Sequence, residues 1–394
     1  MTVNACRPCP VCEKYTVEVL HRMDFQLPKS SPLPNSYQIV SCQSCGMIYA
    51  DSESTQANYD RYYAQFSKYE DPKIASGGGY SDTDRQRLEK TAAVIKKYLK
   101  NTDAVLDIGC ANGGLLDALH KFGFEALTGI DPSSFSIENI KQKGYNGYRA
   151  NISNLSAGNV GLYNGIILSH VLEHIFDVKA AMEVIKSLLE DHGLLYIEVP
   201  NARQYGNHYV VPYYYFDSEH INHFDINTLN ELARYNGFEV MEWSETLISV
   251  TNEVNYPAVY VMLKKSDSIK YVNLPPSDEL KSSILNFINQ SEQDHRQKKI
   301  EYYSNSKEPL ILWGAGSYTQ RLMATSKLSE CNIIAIVDND NNKQDLFINT
   351  LQIKAPSILH NMEGTILILS ALHSNEIKNE ISRMGLKNKT DIIL

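Results

Sequence analysis

Residues 105–114, Val-Leu-Asp-Ile-Gly-Cys-Ala-Asn-Gly-Gly, decide the fold of this chain. An apolar run ends there in a turn of small residues, and an amphipathic stretch, GGLLDALHKFG at 113–123, follows it. Three further apolar runs come at 126–131, 165–170 and 194–199, with amphipathic stretches between them. Strands that alternate with helices indicate parallel βαβ units. The sequence therefore predicts an α/β domain with a doubly wound sheet, closed by a hairpin of residues 238–243 and 257–265.

The small residues of this turn predict a ligand site, because Gly109 and Gly113 let the backbone approach a bound molecule closely. Asp131 ends the next apolar run, and an acid about 20 positions after such a turn is placed to bind a ribose diol. Asp107 precedes the glycines, where a carboxylate repels a pyrophosphate but attracts the cationic methionyl end of S-adenosylmethionine. The pattern therefore favours S-adenosylmethionine over a dinucleotide.

The pattern Asp-x-Gly-x-Ala-x-Gly resembles the first motif of the class I methyltransferases, with Ala111 where their second glycine is usual. Asp131 resembles their ribose-binding acid, and the stretch around Ser169 and His170 resembles the loop that borders their cofactor. The resemblance implies a Rossmann-like class I methyltransferase core. Asn151, after a third strand, is a candidate for contact with the adenine edge. The candidate cofactor-binding residues are Asp107, Gly109, Ala111, Gly113, Asp131, Asn151, Ser169 and His170.

Two C-x2-C pairs stand near the N-terminus, Cys9 with Cys12 and Cys42 with Cys45. Two such pairs bring four thiolates to the corners of a tetrahedron, the geometry that Zn²⁺ prefers. Four protein ligands leave no open position, so we expect a structural zinc rather than a catalytic one. Cys6 is a nearby thiol that could replace one of the four as a ligand. Free buried cysteines are the alternative.

A loop rich in tyrosine and histidine follows the fifth strand, YGNHYVVPYYYFDSEHINHF at 205–224. Polar aromatic side chains at this density suit a wall that stacks on, and hydrogen-bonds to, a sugar or nucleotide. A histidine accepts a proton near neutral pH, and a neighbouring carboxylate can orient it. We therefore expect His220, oriented by Glu219, to be the catalytic base, with His223 as a further candidate. A capping or packing role is the alternative for each histidine.

The order of segments resembles that of the deoxysugar C-methyltransferases, which act on nucleotide-linked 4-keto sugars. The resemblance extends over nearly the whole chain: a zinc unit, a methyltransferase core, a Glu-His loop, a long helix and a second Rossmann-like unit. It implies that a base removes a proton beside the keto group and that the enolate attacks the methyl group of the cofactor. The family's loop reads Tyr-His-Glu-His, whereas this chain has Asp217-Ser218-Glu219-His220.

Two other functions therefore stay open. One is O-methylation of a sugar hydroxyl in surface polysaccharide biosynthesis. The other is a non-catalytic assembly module that binds zinc and a nucleotide.

The last part of the chain predicts a helical connector and a second nucleotide-type unit. Residues 277–307 predict one long amphipathic helix, and the turn at 312–316 with Asp338 after the next strand resembles a dinucleotide site. Thr319 stands where a third glycine is usual, so NAD binding is not expected. The resemblance implies that this unit helps to hold a nucleotide-sugar, and a scaffold that only shapes the cleft is the alternative. The predicted domains are 1–60 (zinc-binding), 61–265 (methyltransferase), 266–308 (helical connector) and 309–394 (Rossmann-like).

The composition narrows the class of partner. The formal net charge is -9 without a basic stripe, which argues against nucleic acid as the main partner. The N-terminus lacks a signal-peptide pattern, and no apolar run reaches the roughly 20 residues that span a bilayer. We expect a cytoplasmic enzyme with a small-molecule substrate and no membrane association. Residues 51–85 predict irregular structure in which Tyr62, Tyr63, Tyr69 and Tyr80 either close over the substrate or simply pack.

Overall fold

The computed structural model describes residues 2–66, 78–251, 254–266, 278–295 and 298–393. The strands are β1 (Thr2–Asn4), β2 (Thr16–Asp24), β3 (Ser36–Cys42), β4 (Ile48–Asp51), β5 (Val105–Ile108), β6 (Leu127–Asp131), β7 (Asn146–Arg149), β8 (Tyr163–Ser169), β9 (Leu189–Pro200), β10 (Asn222–His223), β11 (Phe238–Ser249), β12 (Asn255–Lys265), β13 (Leu310–Trp313), β14 (Ile333–Val337), β15 (Phe347–Ile348), β16 (Leu351–Lys354), β17 (Thr365–Ile368) and β18 (Thr390–Ile392). The helices are α1 (Gln56–Phe66), α2 (Asp82–Lys96), α3 (Gly114–Lys121), α4 (Ser134–Gln142), α5 (Ala157–Val160), α6 (Val178–Leu188), α7 (Ile226–Tyr235), α8 (Asp278–Glu292), α9 (Lys298–Ser306), α10 (Ser317–Thr325) and α11 (Ser374–Arg383). Within these ranges no helix is both long enough and apolar enough to cross a bilayer.

The central sheet has the order β7-β6-β5-β8-β9-β12-β11. Its strands are parallel except β12, which runs antiparallel to both β9 and β11. β5 is buried along its whole length, as expected for a central strand covered by helices on both faces. The predicted apolar runs form β5, β6, β8 and β9, and the predicted closing hairpin is β11 with β12. The prediction of a doubly wound α/β domain closed by a hairpin is confirmed.

The N-terminal sheet is antiparallel, and its order is β1-β2-β3-β4-β10. Its last strand comes from the Tyr- and His-rich loop: Asn222 pairs with Tyr49, and His223 pairs with Ile48. The predicted zinc-binding domain, residues 1–60, does not include this strand, because β10 lies much later in the chain. The N-terminal unit therefore contacts the candidate catalytic loop through main-chain pairing.

The C-terminal sheet has the order β15-β16-β14-β13-β17-β18, and its strands are parallel except β15. The central strand, β13, is fully buried and ends at Trp313. The expected second Rossmann-like unit is present.

The connector departs from the prediction of one long helix, because α8 and α9 are separate helices. Ile284 and Phe287 of α8 pack into the core that joins the N-terminal sheet to the Tyr- and His-rich loop. Ile300 and Tyr303 of α9 belong to the core of the C-terminal unit. The apolar residues of the predicted helix thus pack into two different cores. One straight helix would not contact both. Residue 277, the predicted start, lies outside the described residues.

The segment expected to be irregular contains α1. Tyr59 is buried, and Tyr62 and Tyr63 pack beside it against the same core. Positions three and four apart share one face of a helix, so tertiary packing of three aromatic rings stabilises a stretch with a weak local pattern. α1 runs across the predicted domain boundary at residue 60.

Candidate functional site

The turn between β5 and α3 has a left-handed backbone at three positions. Gly109 and Gly113 both have a φ of 77°, and Ala111 has a φ of 44°. A Cβ added at Gly109 would lie 2.5 Å from Val171 Cγ2, and one added at Gly113 would lie 2.7 Å from Ile140 Cγ2. Both backbone and packing therefore require glycine at these two positions. Ala111 adopts this conformation at a cost of about 1–2 kcal/mol.

Asp131, at the end of β6, closes this turn. Its Oδ2 accepts a hydrogen bond from the backbone N–H of Ala111 at 3.0 Å, and its Oδ1 accepts one from Ser133 at 2.9 Å. A carboxylate at the end of the second strand is placed to accept from a ribose diol. Asn151 follows β7 at the same edge of the sheet.

Asp107 is 3% exposed within β5. Burial raises the pKa of Asp107 to about 8, the charge of Asp131 adds to this rise, and Arg87 of α2 opposes it. A cation bound beside the carboxyl would restore its ionised form. The buried acid, the glycine turn and Asp131 together fit S-adenosylmethionine, whose methionyl end is cationic.

The ends of β8 and β9 supply the next candidate residues. The Ser169 hydroxyl donates to Glu198 Oε2 at 3.0 Å. His170 has a φ of 57° and places its Nδ1 3.3 Å from Glu173 Oε1. The Nε2 of His170 is buried without a hydrogen-bond partner in the described part of the chain. Such a strained backbone at a strand end is typical of a ligand site.

Two Glu-His pairs meet beyond this edge of the sheet. The rings of His174 and His220 lie with their centroids 4.8 Å apart and are tilted by 34° to each other. Glu173 is 1% exposed, and its Oε1 is 3.9 Å from His174 Nε2. The two histidine side chains keep 21% and 24% of their surface exposed. Both imidazoles are therefore partly accessible, whereas Glu173 is buried.

The prediction that Glu219 orients His220 is wrong. His220 Nδ1 lies 3.1 Å from Asp217 Oδ2, and Asp217 Oδ1 accepts the backbone N–H groups of Glu219 and His220 at 2.8 and 2.7 Å. This tight turn brings the carboxylate beneath the imidazole. The Glu219 carboxylate instead accepts from the Tyr62 hydroxyl at 3.1 Å, and its backbone carbonyl accepts from His174 Nδ1 at 3.1 Å.

The pKa values of the two histidines move in opposite directions. Burial alone would lower the pKa of His220, but the charge and hydrogen bond of Asp217 outweigh it and raise that pKa to about 9. Burial lowers the pKa of His174, although the charge of Glu173 acts against this. At neutral pH His220 is therefore an imidazolium and His174 is neutral. Such a separation is the arrangement that assigns one group as acid and the other as base.

His223 does not join this pair. It lies in β10 with no exposed surface, and its Nδ1 is 3.3 Å from the Tyr205 hydroxyl. Its ring also packs on Phe216 at 4.9 Å, and burial lowers its pKa to about 3. The structure therefore does not bring His223 to the accessible histidine pair, because β10 places its side chain in the core, and its catalytic role stays a prediction.

The candidate tyrosines separate into two groups. Tyr62 bonds to Glu219, and Tyr63 packs edge-on against His174 with ring centroids 5.8 Å apart. Tyr80 is 58% exposed, and its hydroxyl accepts from Asn139 of α4 at 3.3 Å. Tyr69 lies outside the described residues. The structure thus brings Tyr62 and Tyr63 to the histidine pair.

The four cysteine sulfurs form a compact group. Cys9 Sγ lies 3.5 Å from Cys45 Sγ, Cys12 Sγ lies 3.5 Å from Cys42 Sγ, and all four lie within 4.8 Å of one another. Four sulfurs held tetrahedrally at about 2.3 Å from zinc are about 3.8 Å apart. The donor set and its spacing fit one zinc ion.

Each C-x2-C pair lies in a tight turn. The backbone N–H of Glu13 bonds to Cys9 O, and that of Gly46 bonds to Cys42 O, both at 2.9 Å. Glu13 and Gly46 both have positive φ, 60° and 75°. Cys6 is exposed and stands outside the group, because Asp51 accepts its backbone N–H at 2.9 Å. The expectation that Cys6 could replace a ligand is therefore not met.

A cavity of about 530 Å³ lies between the Tyr- and His-rich loop and the C-terminal unit. Asp217 and Glu219 line it from the loop, and Gly314, Arg321 and Asp338 line it from the C-terminal unit. Arg321 is 4% exposed, and its Nη2 has no hydrogen-bond partner among the described residues. A buried guanidinium N–H without a partner is costly. Arg321 therefore offers an anionic group of a ligand an unpaired donor in a cavity that carboxylates also line.

The C-terminal unit has the same contact between an acid and a turn as the candidate cofactor site, the turn between β5 and α3 (here called the cofactor turn). Asp338 Oδ2 accepts the backbone N–H of Ala315 at 2.7 Å, as Asp131 Oδ2 accepts that of Ala111 at 3.0 Å. Each acid follows the second strand of its unit and binds the turn after the first. Both units therefore present a carboxylate beside a turn of small residues.

Sequence reasoning missed Asp217 as the partner of His220, His174 as the second titratable group, and Arg321. One signal was available: the dipeptide Glu-His occurs at 173–174 and again at 219–220, each time after a strand of the core. No local signal marks Arg321, because it stands at an ordinary helical position.

Two family models match this chain. Residues 82–242 match the model of a methyltransferase domain, and residues 306–393 match the model described as C2185-like, N-terminal. A curated relative is the ribosomal protein L11 methyltransferase of Clostridium botulinum, 25% identical over 172 residues, which are 44% of this chain and 47% of that protein. The ribosomal protein L11 methyltransferase of Macrococcus caseolyticus is 28% identical over 130 residues, which are 32% of this chain and 40% of that protein. The chain spans about half the length of the curated relatives it matches.

Solved methyltransferase structures are similar to part of this chain at low identity. The 1,6-didemethyltoxoflavin-N1-methyltransferase of Burkholderia thailandensis is 16% identical and covers 56% of this chain and 95% of its own, with a TM-score of 0.43. A SAM-dependent methyltransferase of Methanosarcina mazei is 18% identical and covers 44% and 97%, with a TM-score of 0.37. Residues 82–242 thus match a methyltransferase-domain model, and their central sheet has the Rossmann-like class I methyltransferase fold.

Proposed function

We propose that this chain, built around a class I methyltransferase domain, transfers the methyl group of S-adenosylmethionine to a small polar acceptor beside the His174–His220 pair. One observation carries the proposal. The short segment 169–175 borders the turn between β5 and α3 through Val171, whose side chain lies against Gly109, and it also supplies Glu173 and His174 to the titratable cluster. A methyl donor and a proton acceptor would thus meet across one loop.

S-adenosylmethionine would supply an electrophilic methyl group when it is bound. Asp131 would bind its ribose diol, and Asp107 would face its cationic methionyl end. Gly109 and Gly113 would allow the close approach of the ligand, with Ala111, Asn151, Ser169 and His170 around it. Zinc would serve structure only, because all four of its ligands come from the protein. The expected cytoplasmic location suits this site, since a reducing compartment keeps the thiols free for metal.

His174 and His220 would divide the proton transfer between them. His174 is neutral at neutral pH, so its Nε2 would take the proton of the acceptor, and Glu173 would stabilise the imidazolium that forms. His220 already carries a proton that Asp217 holds, so it would donate a hydrogen bond to the oxygen on which negative charge develops. His220 thus becomes the acid of the pair, rather than the base that the sequence alone suggested. A carbon beside a keto group is the acceptor we favour.

The cavity between the loop and the C-terminal unit supports a nucleotide-linked sugar as substrate. The sugar would lie near Glu219 and His220, the diphosphate would pair with Arg321, and Asp338 would bind hydroxyl groups of the nucleoside. O-methylation of a sugar hydroxyl uses the same groups and stays the alternative. The NMR shift of the new methyl carbon separates the two, since a methoxy carbon differs from a C-methyl carbon.

A titration with nucleoside diphosphates tests the substrate class without a known sugar. Calorimetry with UDP and dTDP would use the wild type, Arg321→Met and the control Arg383→Met, which changes an exposed arginine of α11. We expect binding that Arg321→Met weakens about tenfold to a hundredfold, the effect of losing one charge-assisted hydrogen bond. Equal affinity in all three proteins would remove Arg321 from the site. No binding of either nucleotide would favour an acceptor without a nucleotide.

A further inference from the structure

A buried arginine links the zinc unit to the catalytic loop. Arg7 lies two residues before Cys9 and is 3% exposed. Its backbone N–H donates to Asp51 Oδ1 at 3.0 Å, which fixes it to the end of β4. Its guanidinium lies between the rings of Tyr49, 5.0 Å away, and Phe176, 4.6 Å away. The main chain of Arg7 therefore belongs to the zinc unit, and its side chain reaches the methyltransferase domain.

The guanidinium group contacts both segments that carry the histidine pair. Nη1 donates to Phe176 O at 3.1 Å, and Nη2 donates to Ile221 O at 3.1 Å and to Asn222 Oδ1 at 2.7 Å. The first acceptor lies two residues after His174, and the other two immediately follow His220. One rigid, planar fork of donors thus spans the two segments.

Asn222 completes this connection. Its Nδ2 donates to Leu172 O at 3.1 Å and to Ile175 O at 2.7 Å, on either side of Glu173 and His174. Its side-chain oxygen accepts from Arg7, so the arginine also fixes which way the amide points. The backbone N–H of Ile221 donates to Glu173 O at 3.0 Å, and that of Ala50 in β4 donates to Ile221 O at 2.9 Å. The segments at 172–176 and 220–222 are therefore held to each other and to the zinc unit.

We propose that Arg7 is a positioning residue through which the zinc unit holds the two histidine-bearing segments in register. The zinc unit then serves the histidine pair and not the cofactor turn. Without the guanidinium, three buried oxygen atoms lose their charged donor and the Asn222 amide loses the contact that orients it, which weakens the connection between the two segments. This role concerns the zinc unit itself, and it holds whatever acceptor the enzyme uses.

Hydrogen exchange followed by mass spectrometry tests this role on the full zinc-loaded chain. The variants are Arg7→Met and a matched control, Arg22→Met, which changes an exposed arginine of the same unit paired with Asp24. We expect exchange of the amides at 172–176 and 217–224 to accelerate about tenfold or more in Arg7→Met. Exchange at 105–131 and the affinity for S-adenosylhomocysteine should stay as in wild type. Arg22→Met should show no local change.

Two results would overturn the proposal. In the first, Arg7→Met keeps both segments as protected as in wild type. In the second, exchange rises over the whole chain, including 105–131, and binding of S-adenosylhomocysteine is lost, as a general folding role requires. Arg7→Lys keeps the positive charge but loses the planar fork of donors, so it should loosen the same two segments, and it carries the test if Arg7→Met does not fold. Removal of zinc by a chelator should loosen the same two segments, and their continued protection would contradict a role for the zinc unit.

Discussion

Replacing Asp217 with asparagine removes the charge that keeps the proton on His220. The pKa of His220 stands at about 9 against an ordinary 6.5. The difference, 9 − 6.5, is about 2.5 units, or roughly 3 kcal/mol at about 1.4 kcal/mol per unit. Because burial alone lowers the pKa of His220, we expect Asp217→Asn to bring it to about 6.5 or lower.

The assay is an NMR titration of ring-labelled histidine, with the resonance assigned through His220→Asn. Glu219→Gln is the matched control, because it changes the residue that the sequence alone would pair with His220. The pKa should stay above about 8 in Glu219→Gln, since Glu219 is a weaker influence than Asp217. A larger fall in Glu219→Gln than in Asp217→Asn would refute the reasoning.

The same pair gives stability a defined dependence on pH. A histidine whose pKa is raised by folding stabilises the protein fully below its unfolded pKa, and this stabilisation is lost as the pH rises through the folded pKa. The melting temperature of the wild type should therefore fall as the pH rises from 6.5 to about 9. Asp217→Asn should lose less over that window, because its His220 is neutral throughout.

Two further predictions concern the bound groups. Because the pKa of Asp107 is about 8, a cationic ligand must ionise it. Affinity for S-adenosylhomocysteine should therefore rise between pH 6.5 and 8 with release of a proton, seen as a buffer-dependent calorimetric enthalpy, and Asp107→Asn should abolish that release. Elemental analysis should find one zinc per chain in wild type and in Cys6→Ser and none in Cys42→Ser. Loss of the metal from Cys6→Ser would contradict the ligand set.

The sequence alone predicted those parts of the site that lie close together within one supersecondary unit. In a βαβ unit the turn after the first strand and the end of the second strand are neighbours, so the contact between Ala111 and Asp131 follows from the pattern. The two C-x2-C pairs are similarly local, and the spacing within each one fixes its turn. These features needed no knowledge of how distant segments pack.

Contacts between distant segments could not be predicted in this way. β10 joins the N-terminal sheet only because the loop at 205–224 folds back across it, and this buries His223. The partner of His220 depends on a tight turn that begins at Asp217, which sequence adjacency to Glu219 concealed. Arg7, Arg321 and the break between α8 and α9 all depend on which core each segment reaches.

The most direct test of the central claim is calorimetry with S-adenosylhomocysteine on wild type, Asp131→Ala and Asp338→Ala. The two acids occupy equivalent positions in the two α/β units, and each accepts a backbone N–H from the neighbouring turn. We predict that wild type and Asp338→Ala bind alike and that Asp131→Ala binds about tenfold to a hundredfold more weakly, a loss of about 1–3 kcal/mol. Absence of binding in the folded, zinc-loaded wild type, or a loss confined to Asp338→Ala, would contradict the account.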